Sequence, residues 1–163
     1  MLINNSDLGT TFDAKVTNSW RITPDNTDEV REMVLEVNDP SFQFTDGQSI
    51  SVIVHGPHDF GNKYHIRRYS VSRVTDAGSN SRKMSLLVKR CFYTDEINGE
   101  QYPGVASNFL CDRSIGDAIT ISGPFNSPFS APEDRSSNLL MIGTGTGISP
   151  FRTFIKNIYD DQG

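Results

Sequence analysis

The chain has 163 residues, which is enough for one well-packed domain and too few for two of full size. Hydrophobic residues make up 36% and charged residues 21% of the sequence, which excludes a disordered or fibrous protein. A net charge of -5 argues against nucleic acid or an anionic membrane as the main partner, and no apolar run approaches the roughly 20 residues of a transmembrane segment, so we expect a soluble intracellular protein.

Short strands separated by turn residues are predicted from Phe12 to about Ile121. The segments EVREMVLEV, QSISVIVHG, HIRRYSVSR and KMSLLVKRCFY are rich in apolar and β-branched residues. The first of them leaves a second interpretation open, because Val30, Val34 and Val37 also have helical spacing. Regular short strands of this kind predict an antiparallel barrel or sandwich.

The pattern changes after Gly104. ASNFLCDR predicts one or two helical turns with Ser107 or Asn108 as the N-cap, and GDAITISGPF predicts a further strand. NLLMIG is a short apolar run typical of a strand buried on both faces in a parallel sheet. The helix predicted to follow it has an apolar stripe of Phe151, Phe154, Ile155, Ile158 and Tyr159.

A glycine turn, GTGTGISPFR, joins this predicted strand to the predicted helix. Gly143, Gly145 and Gly147 can adopt positive φ and allow a ligand close to the backbone, while the helix start offers free N–H groups to a phosphate. The spacing lacks the third glycine of the G-x-G-x-x-G dinucleotide fingerprint. The turn therefore suits either a pyrophosphate site or a flexible connection without a ligand.

The segment RRYS places Arg67 and Tyr69 on the same face of a predicted strand. A guanidinium binds phosphate with two parallel hydrogen bonds, an aromatic ring stacks on a flat heterocycle, and the Ser70 hydroxyl can bond a ring nitrogen. A basic strand with a core tyrosine explains the same residues without a ligand.

Five segments in this order, RRYS, LVKRCFYTDE, GVASNFLCD, GDAITISGPF and GTGTGISPFR, resemble the plant-type ferredoxin–NADP(+) reductase family over about residues 28–156. The resemblance implies a mainly β fold. Residues 1–133 would form an antiparallel Greek-key barrel that binds FAD. Residues 134–163 would begin an α/β NADP-binding domain with its first βα unit, so we expect the chain to be a fragment of a longer reductase.

The resemblance also implies which residues bind the cofactors. Arg67 would bind the FAD pyrophosphate, Tyr69 would stack on the isoalloxazine, and Ser70, near the reactive N5, would be the catalytic residue. The other residues assigned to the cofactor site are Arg68, Leu87, Val88, Lys89, Tyr93, Val105, Ala106, Ser107, Thr144, Gly145, Thr146 and Gly147.

Several of these residues have distinct implied roles. The segment 87–89 would line the flavin, with Lys89 approaching the NADP phosphates, and Tyr93 would stack on the adenine of FAD. Backbone amides of residues 105–107 would bind the pyrophosphate, and Thr144 would lie between flavin and nicotinamide. Leu87 and Ala106 stand where plant enzymes commonly have cysteines, a change compatible with packing.

The implied activity is an FAD-dependent transfer of electrons between NADP(H) and an acidic carrier, a ferredoxin or a flavodoxin. Two alternatives remain: the reductase subunit of an oxygenase, and a redox-silent FAD-binding module. We expect a cytoplasmic protein, or a stromal one if the chain is a mature eukaryotic form. A basic cluster is predicted to bind the carrier and comprises Arg67, Arg68, Arg73, Arg82, Lys83, Lys89 and Arg90.

The histidines and cysteines are predicted to have no catalytic or metal-binding role. His55, His58 and His65 lack the partners of a tetrahedral site and suit surface positions. Cys91 and Cys111 have neither metal spacing nor a disulfide framework, and Cys111 suits a small packing residue.

Overall fold

A computed structural model describes residues 8–45, 47–58, 61–76, 81–126, 134, 136 and 138–160. The elements are β1 (Thr11–Arg21), β2 (Val30–Val37), β3 (Ser49–His55), β4 (Tyr64–Asp76), β5 (Arg82–Lys89), β6 (Phe92–Thr94), β7 (Gln101–Pro103), α1 (Val105–Cys111), β8 (Ala118–Phe125) and α2 (Ser149–Asp160). Within the described residues six strands form a closed barrel in the order β1-β2-β5-β4-β3-β8, and every pair is antiparallel. Because β2 pairs with β5 and β3 closes against β8, the connection is a Greek key.

The barrel interior is filled by side chains from alternate positions of the strands. In β2, Met33, Leu35 and Val37 are almost fully buried while the residues between them are less so. This period of two is that of a strand, so the helical interpretation of EVREMVLEV is wrong. Long-range pairing with β1 and β5 decides the conformation that local spacing left open.

The predicted strand KMSLLVKRCFY divides at Arg90 and Cys91 into β5 and the short hairpin strand β6. Arg90 directly follows β5, and its side chain binds Glu29 at 2.7 Å and Asp112 at 2.8 Å. Its Nη1 also donates to Asn108 Oδ1 at 2.9 Å. Arg90 thereby links the start of β2, the end of β5 and the end of α1.

Helix α1 begins three or four residues earlier than the predicted caps imply. Gly104 is the N-cap residue, so the assignment of the cap to Ser107 or Asn108 is wrong. Both side chains instead bond backward from inside the helix, with Ser107 Oγ donating to the Gly104 carbonyl at 3.2 Å and Asn108 Nδ2 donating to it at 2.9 Å. Asn108 also donates to the Cys91 carbonyl at 2.8 Å, which fixes α1 against the hairpin.

The predicted buried strand NLLMIG does not form. Residues 138–144 have no regular structure, and Leu140 and Ile142 are 83% and 79% exposed. A parallel strand needs neighbours for its N–H and C=O groups, and the barrel, closed on itself, offers no free edge to the segment.

The predicted division of the chain at residue 133 lies at the end of residues 127–133, which are outside the described part of the chain. This division stays a prediction.

Helix α2 is confirmed, and a 3₁₀ turn over Gly145–Ile148 precedes it. Two contacts join it to the barrel: Ser149 Oγ donates to the Ser70 carbonyl at 3.2 Å, and Arg152 binds Glu32 at 3.1 Å. The predicted apolar stripe is only partly buried. Phe154 is buried, Ile155 and Tyr159 are exposed, and the Ile158 side chain lies outside the described residues.

Neither of the two helices in the described residues has both the length and the apolar character that crossing a bilayer requires.

Candidate functional site

A cavity of about 630 Å³ lies between β4, the end of β5, the β6–β7 hairpin, the start of α1 and the 3₁₀ turn. Its volume is in the range of small-molecule and cofactor sites. Most of the residues that the sequence assigned to the cofactor line it: Arg67, Arg68, Tyr69, Ser70, Leu87, Lys89, Tyr93, Val105, Ala106, Ser107, Thr146 and Gly147.

Three assigned residues do not line the cavity. Val88 is 1% exposed and belongs to the barrel core, because side chains alternate along β5 and its neighbours Leu87 and Lys89 take the cavity side. Thr144 and Gly145 precede the part of the turn that reaches the cavity. The cavity lining therefore does not include these three positions, and their assignment to the cofactor stays a prediction.

Gly145 and Gly143 have structural roles in the turn. Gly145 has a φ of 54°, a left-handed conformation that glycine adopts without strain. A Cβ on Gly143 would lie 3.0 Å from the Phe151 ring and 3.2 Å from the Gly147 carbonyl, so this glycine permits close packing of the turn against α2.

Strand β4 presents a polar and aromatic face to the cavity. His65, Arg67 and Tyr69 alternate along the strand and therefore share this face. Arg67 is exposed, and no ion pair to it is found within the described residues. Tyr69 packs partly against the barrel core, and burial raises the pKa of its phenol to about 12 although Arg67 opposes the shift.

Arg68 lies on the opposite side of β4 and differs from Arg67 in its contacts. Its guanidinium carbon is 4.3 Å from the centroid of the Phe125 ring, a cation–π geometry. Arg68 also lines a second cavity of about 420 Å³ that includes Ser51, Ile66 and Ser122. Both arginines line the main cavity, and within the described residues only Arg68 is engaged by an aromatic ring.

The start of α1 brings backbone donors to the cavity. The first hydrogen bond of the helix runs from the Asn108 N–H to the Gly104 carbonyl at 3.1 Å. The amides of residues 105–107 precede this bond and have no partner within the helix, as is general for the first helical turn. Gly104 itself lines the cavity, and a Cβ there would lie 3.2 Å from the Cys91 carbonyl.

The β6–β7 hairpin contributes the aromatic residue Tyr93 to the cavity. Tyr93 lines the cavity and Tyr102 is its direct partner on β7. Their ring centroids are 5.4 Å apart and the ring planes differ by 23°, so the two rings are stacked. Tyr93 is 56% exposed, which leaves ring surface available to a ligand.

Five lining residues were not assigned from the sequence: His65, Cys91, Gly104, Ser149 and Pro150. Two signals could have found most of them. His65 precedes Arg67 by two positions on the same strand, and Ser149 and Pro150 directly follow the glycine turn. The position of Cys91 depends on the break between β5 and β6, which local propensity does not encode.

The predicted basic cluster is not one patch. Arg82 and Lys83 pair with Asp76 and Thr75 at the far end of β4, away from the cavity residues 67–70. Arg90 is neutralised by Glu29 and Asp112, and Lys89 binds Asp28 at 2.6 Å. The cluster was inferred from closeness in sequence, and a long antiparallel hairpin separates its members in space.

The histidines make ordinary polar contacts. His58 Nε2 lies 2.9 Å from the Val54 carbonyl, and His55 Nε2 lies 3.4 Å from Thr120 Oγ1. His58 and His65 have ring centroids 5.9 Å apart, and burial is the main cause that lowers the pKa of His65. In the described part of the chain, no group of three potential metal ligands is found.

We expect stability to fall at alkaline pH because of Tyr69. Its pKa rises from 10.0 in the unfolded chain to about 12 in the folded one, so the folded state holds the proton more tightly. This contribution is complete below about pH 10 and is lost as the pH rises to about 12, up to about 3 kcal/mol in all.

Urea unfolding at several pH values from about 9 to about 12 measures this effect. Tyr69→Phe should have a flatter pH dependence than the wild-type chain. Cys111, whose pKa burial raises to about 11, titrates in both proteins, and its charge is a smaller cause of the Tyr69 shift, so the difference between the two curves includes this coupling. If the free energies of unfolding of the two proteins had the same pH dependence, Tyr69 would not be the group that lowers stability at alkaline pH.

Comparisons with known sequences and with solved structures identify relatives of this chain. No protein-family model matches the sequence. Over 120 residues the chain is 41% identical to the ferredoxin–NADP reductase of the Cyanophora paradoxa cyanelle, and over 144 residues it is 37% identical to the chloroplastic leaf isozyme 1 of Arabidopsis thaliana. The matches include 72% and 87% of this chain. The chain is homologous to the ferredoxin–NADP reductases.

Solved structures agree with this relationship. The ferredoxin–NADP(+) reductase of Plasmodium falciparum, solved with 2'P-AMP, aligns with 97% of this chain at a TM-score of 0.66 and 26% identity. The FAD/NAD-binding domain of a Vibrio cholerae nitric oxide dioxygenase aligns with 92% at a TM-score of 0.67, and its 20% identity shows the fold alone. The chain spans 32% and 39% of the length of the two curated ferredoxin–NADP reductases and 56% of the Plasmodium chain.

Proposed function

We propose that the 630 Å³ cavity binds FAD. The observation that carries this proposal is that one cavity is lined by chemically distinct groups: two aromatic rings, Tyr69 and Tyr93, the guanidinium of Arg67, which has no ion pair within the described residues, and the start of α1 with its backbone amides. A dinucleotide with two ring systems and a central pyrophosphate has groups that match these in kind and number. Stacking surfaces and charge-assisted hydrogen bonds match those groups in kind.

The role proposed for each residue rests on its chemistry and on the family resemblance. Arg67 and the amides of residues 105–107 bind the pyrophosphate, Tyr69 stacks on the isoalloxazine, and Tyr93 stacks on the adenine. The partly buried phenol of Tyr69 stays protonated at neutral pH, so it adds no charge beside the flavin. Leu87, 7% exposed, contributes an apolar wall that excludes water.

We further propose that the chain belongs to an enzyme that transfers electrons between NADP(H) and a ferredoxin. Bound FAD would supply hydride and single-electron chemistry. Ser70 lines the cavity next to Tyr69, and its carbonyl accepts the Ser149 hydroxyl, so the flavin end of the site is fixed to the start of α2. Thr146 and Gly147 line the same cavity, which supports an approach of NADP(H) to the flavin along the glycine turn.

The relatives support several details of this proposal. Their names favour a reductase of ferredoxin over the reductase subunit of an oxygenase. They are chloroplastic and cyanelle enzymes, which favours the plastid stroma over the cytoplasm. A flavodoxin as alternative carrier, and the division into an FAD-binding unit up to residue 133 and the start of an NADP-binding unit, remain part of the proposal.

The proposal is tested by reconstitution. The purified 163-residue chain is incubated with FAD and passed through a desalting column, and we expect flavin absorbance to remain with the protein. Serum albumin treated in the same way controls for incomplete desalting. A chain that stays colourless while its circular dichroism shows folded β structure would overturn the proposal.

A further inference from the structure

Tyr102 lies next to Tyr93, on strand β7 of the β6–β7 hairpin. The two residues form a direct cross-strand pair, so their rings project from the same face of the hairpin. The stacking distance of 5.4 Å between centroids and the 23° angle between ring planes bring Tyr102 against one face of the Tyr93 ring. Tyr93 lines the cavity and Tyr102 does not.

Hydrogen bonds hold the Tyr102 ring in place. Its hydroxyl donates to Glu100 Oε2 at 2.5 Å and accepts from Asn98 Nδ2 at 3.2 Å. Asn98 Nδ2 also donates to the same Glu100 oxygen at 3.1 Å. The three side chains form a closed triangle of contacts, so the Tyr102 ring is fixed at its outer end as well as at its backbone.

The turn that carries this triangle is itself well bonded. Asp95 Oδ1 accepts the backbone N–H groups of Ile97 and Asn98 at 2.8 and 3.1 Å, and the Asp95 N–H donates to the Glu100 carbonyl at 2.8 Å. Gly99, with a φ of 72°, completes the reversal. A rigid turn keeps Asn98 and Glu100 in place around the Tyr102 hydroxyl.

We infer that Tyr102 is a positioning residue for the nucleotide end of the site: it stacks on Tyr93 and holds that ring ready for the adenine. This inference rests on the proposed binding of FAD. An exposed tyrosine that is free to rotate must be immobilised when a ligand stacks on it, and such ordering of a side chain reduces affinity. Stacking on the hydrogen-bonded Tyr102 ring restricts the Tyr93 side chain before the ligand binds. Most of this loss of affinity is thereby avoided.

Dissociation constants for FAD measured by equilibrium dialysis test the inference on the whole 163-residue chain. Tyr102→Ala and Tyr102→Leu should each weaken FAD binding by about 2- to 12-fold, because both remove the flat ring and the Leu variant retains apolar volume. Tyr102→Phe should retain most of the affinity. Tyr159→Ala, which removes an exposed tyrosine outside the cavity, is the matched control and should bind FAD like the wild type.

A double-mutant cycle separates positioning through Tyr93 from a general structural effect. In a Tyr93→Ala background, Tyr102→Ala should cause no further loss of FAD affinity, because the ring that it positions is absent. An equal loss in both backgrounds, or wild-type affinity of the Tyr102→Ala single variant, would overturn the inference. If the wild-type chain binds no FAD, the proposed function fails instead, and the two failures are therefore distinguishable.

Discussion

Replacing Arg67 with alanine should weaken FAD binding to the 163-residue chain by about 10- to 150-fold, the equivalent of a lost hydrogen-bonded charge. The Arg67 guanidinium is exposed at the cavity and has no ion-pair partner within the described residues, so its donors are available to a pyrophosphate. Arg67→Lys should fall between wild type and alanine, because an ammonium keeps the charge and loses the bidentate geometry.

Fluorescence titration with FAD measures these differences, and Arg73→Ala is a suitable control. Arg73 is an exposed arginine on the same strand that does not line the cavity, so its loss changes net charge equally and should change affinity by less than about 2-fold. Raising the salt concentration should weaken wild-type binding more than binding to Arg67→Ala. Equal affinities of the Arg67→Ala and Arg73→Ala variants would show that the guanidinium does not contact the pyrophosphate.

Replacing Phe42 with alanine should lower the free energy of unfolding by about 3–5 kcal/mol. Phe42 is 1% exposed and lies in the connection between β2 and β3, where its ring meets Phe12 edge-on at 5.0 Å. The surrounding strands are held by barrel pairing and cannot collapse into the space that the ring leaves, so most of the cavity cost remains.

Urea denaturation followed by circular dichroism measures this loss, and Phe44→Ala is the matched control. Phe44 stacks on Phe42 at 6.3 Å but is only partly buried, so its removal should lower stability by a smaller amount. A loss of less than about 1 kcal/mol for Phe42→Ala would mean that the ring is not part of the barrel core.

Most of the barrel could be predicted from the sequence because its strands carry their period in their side chains. QSISVIVHG and GDAITISGPF are strands as predicted, and ordered motifs located the cavity before any geometry was known. Strand β1 was not singled out, although Phe12, Ala14 and Val16 alternate cleanly with exposed residues. The polar residues on its outer face lower the overall hydrophobicity of the segment, so its alternating pattern was overlooked.

The errors come from interactions between distant residues. NLLMIG has the composition of a buried strand, but a strand also needs neighbours to accept its hydrogen bonds, and composition does not contain them. Arg90 counts as a basic residue in the sequence, yet contacts with Glu29 and Asp112 remove it from any docking surface. Val88 belongs to the barrel core and not to the cavity because of its position in the alternation of side chains along β5. The resemblance implied that position only to within one residue.

The pairing of β1 with β8 has a consequence for the order of events during synthesis. Thr11 pairs with Ser122 and Lys15 with Ala118, so the barrel closes between segments more than 100 residues apart in sequence. Such a contact is entropically costly and forms late, and a ribosome must release nearly the whole of β8 before it can form at all. Until then the inner faces of β1 and β8, with Ala14 and Ile119, are open to other nascent chains. Cofactor supply during expression can favour the closed form by mass action, but it cannot hasten the step that waits for the last strand.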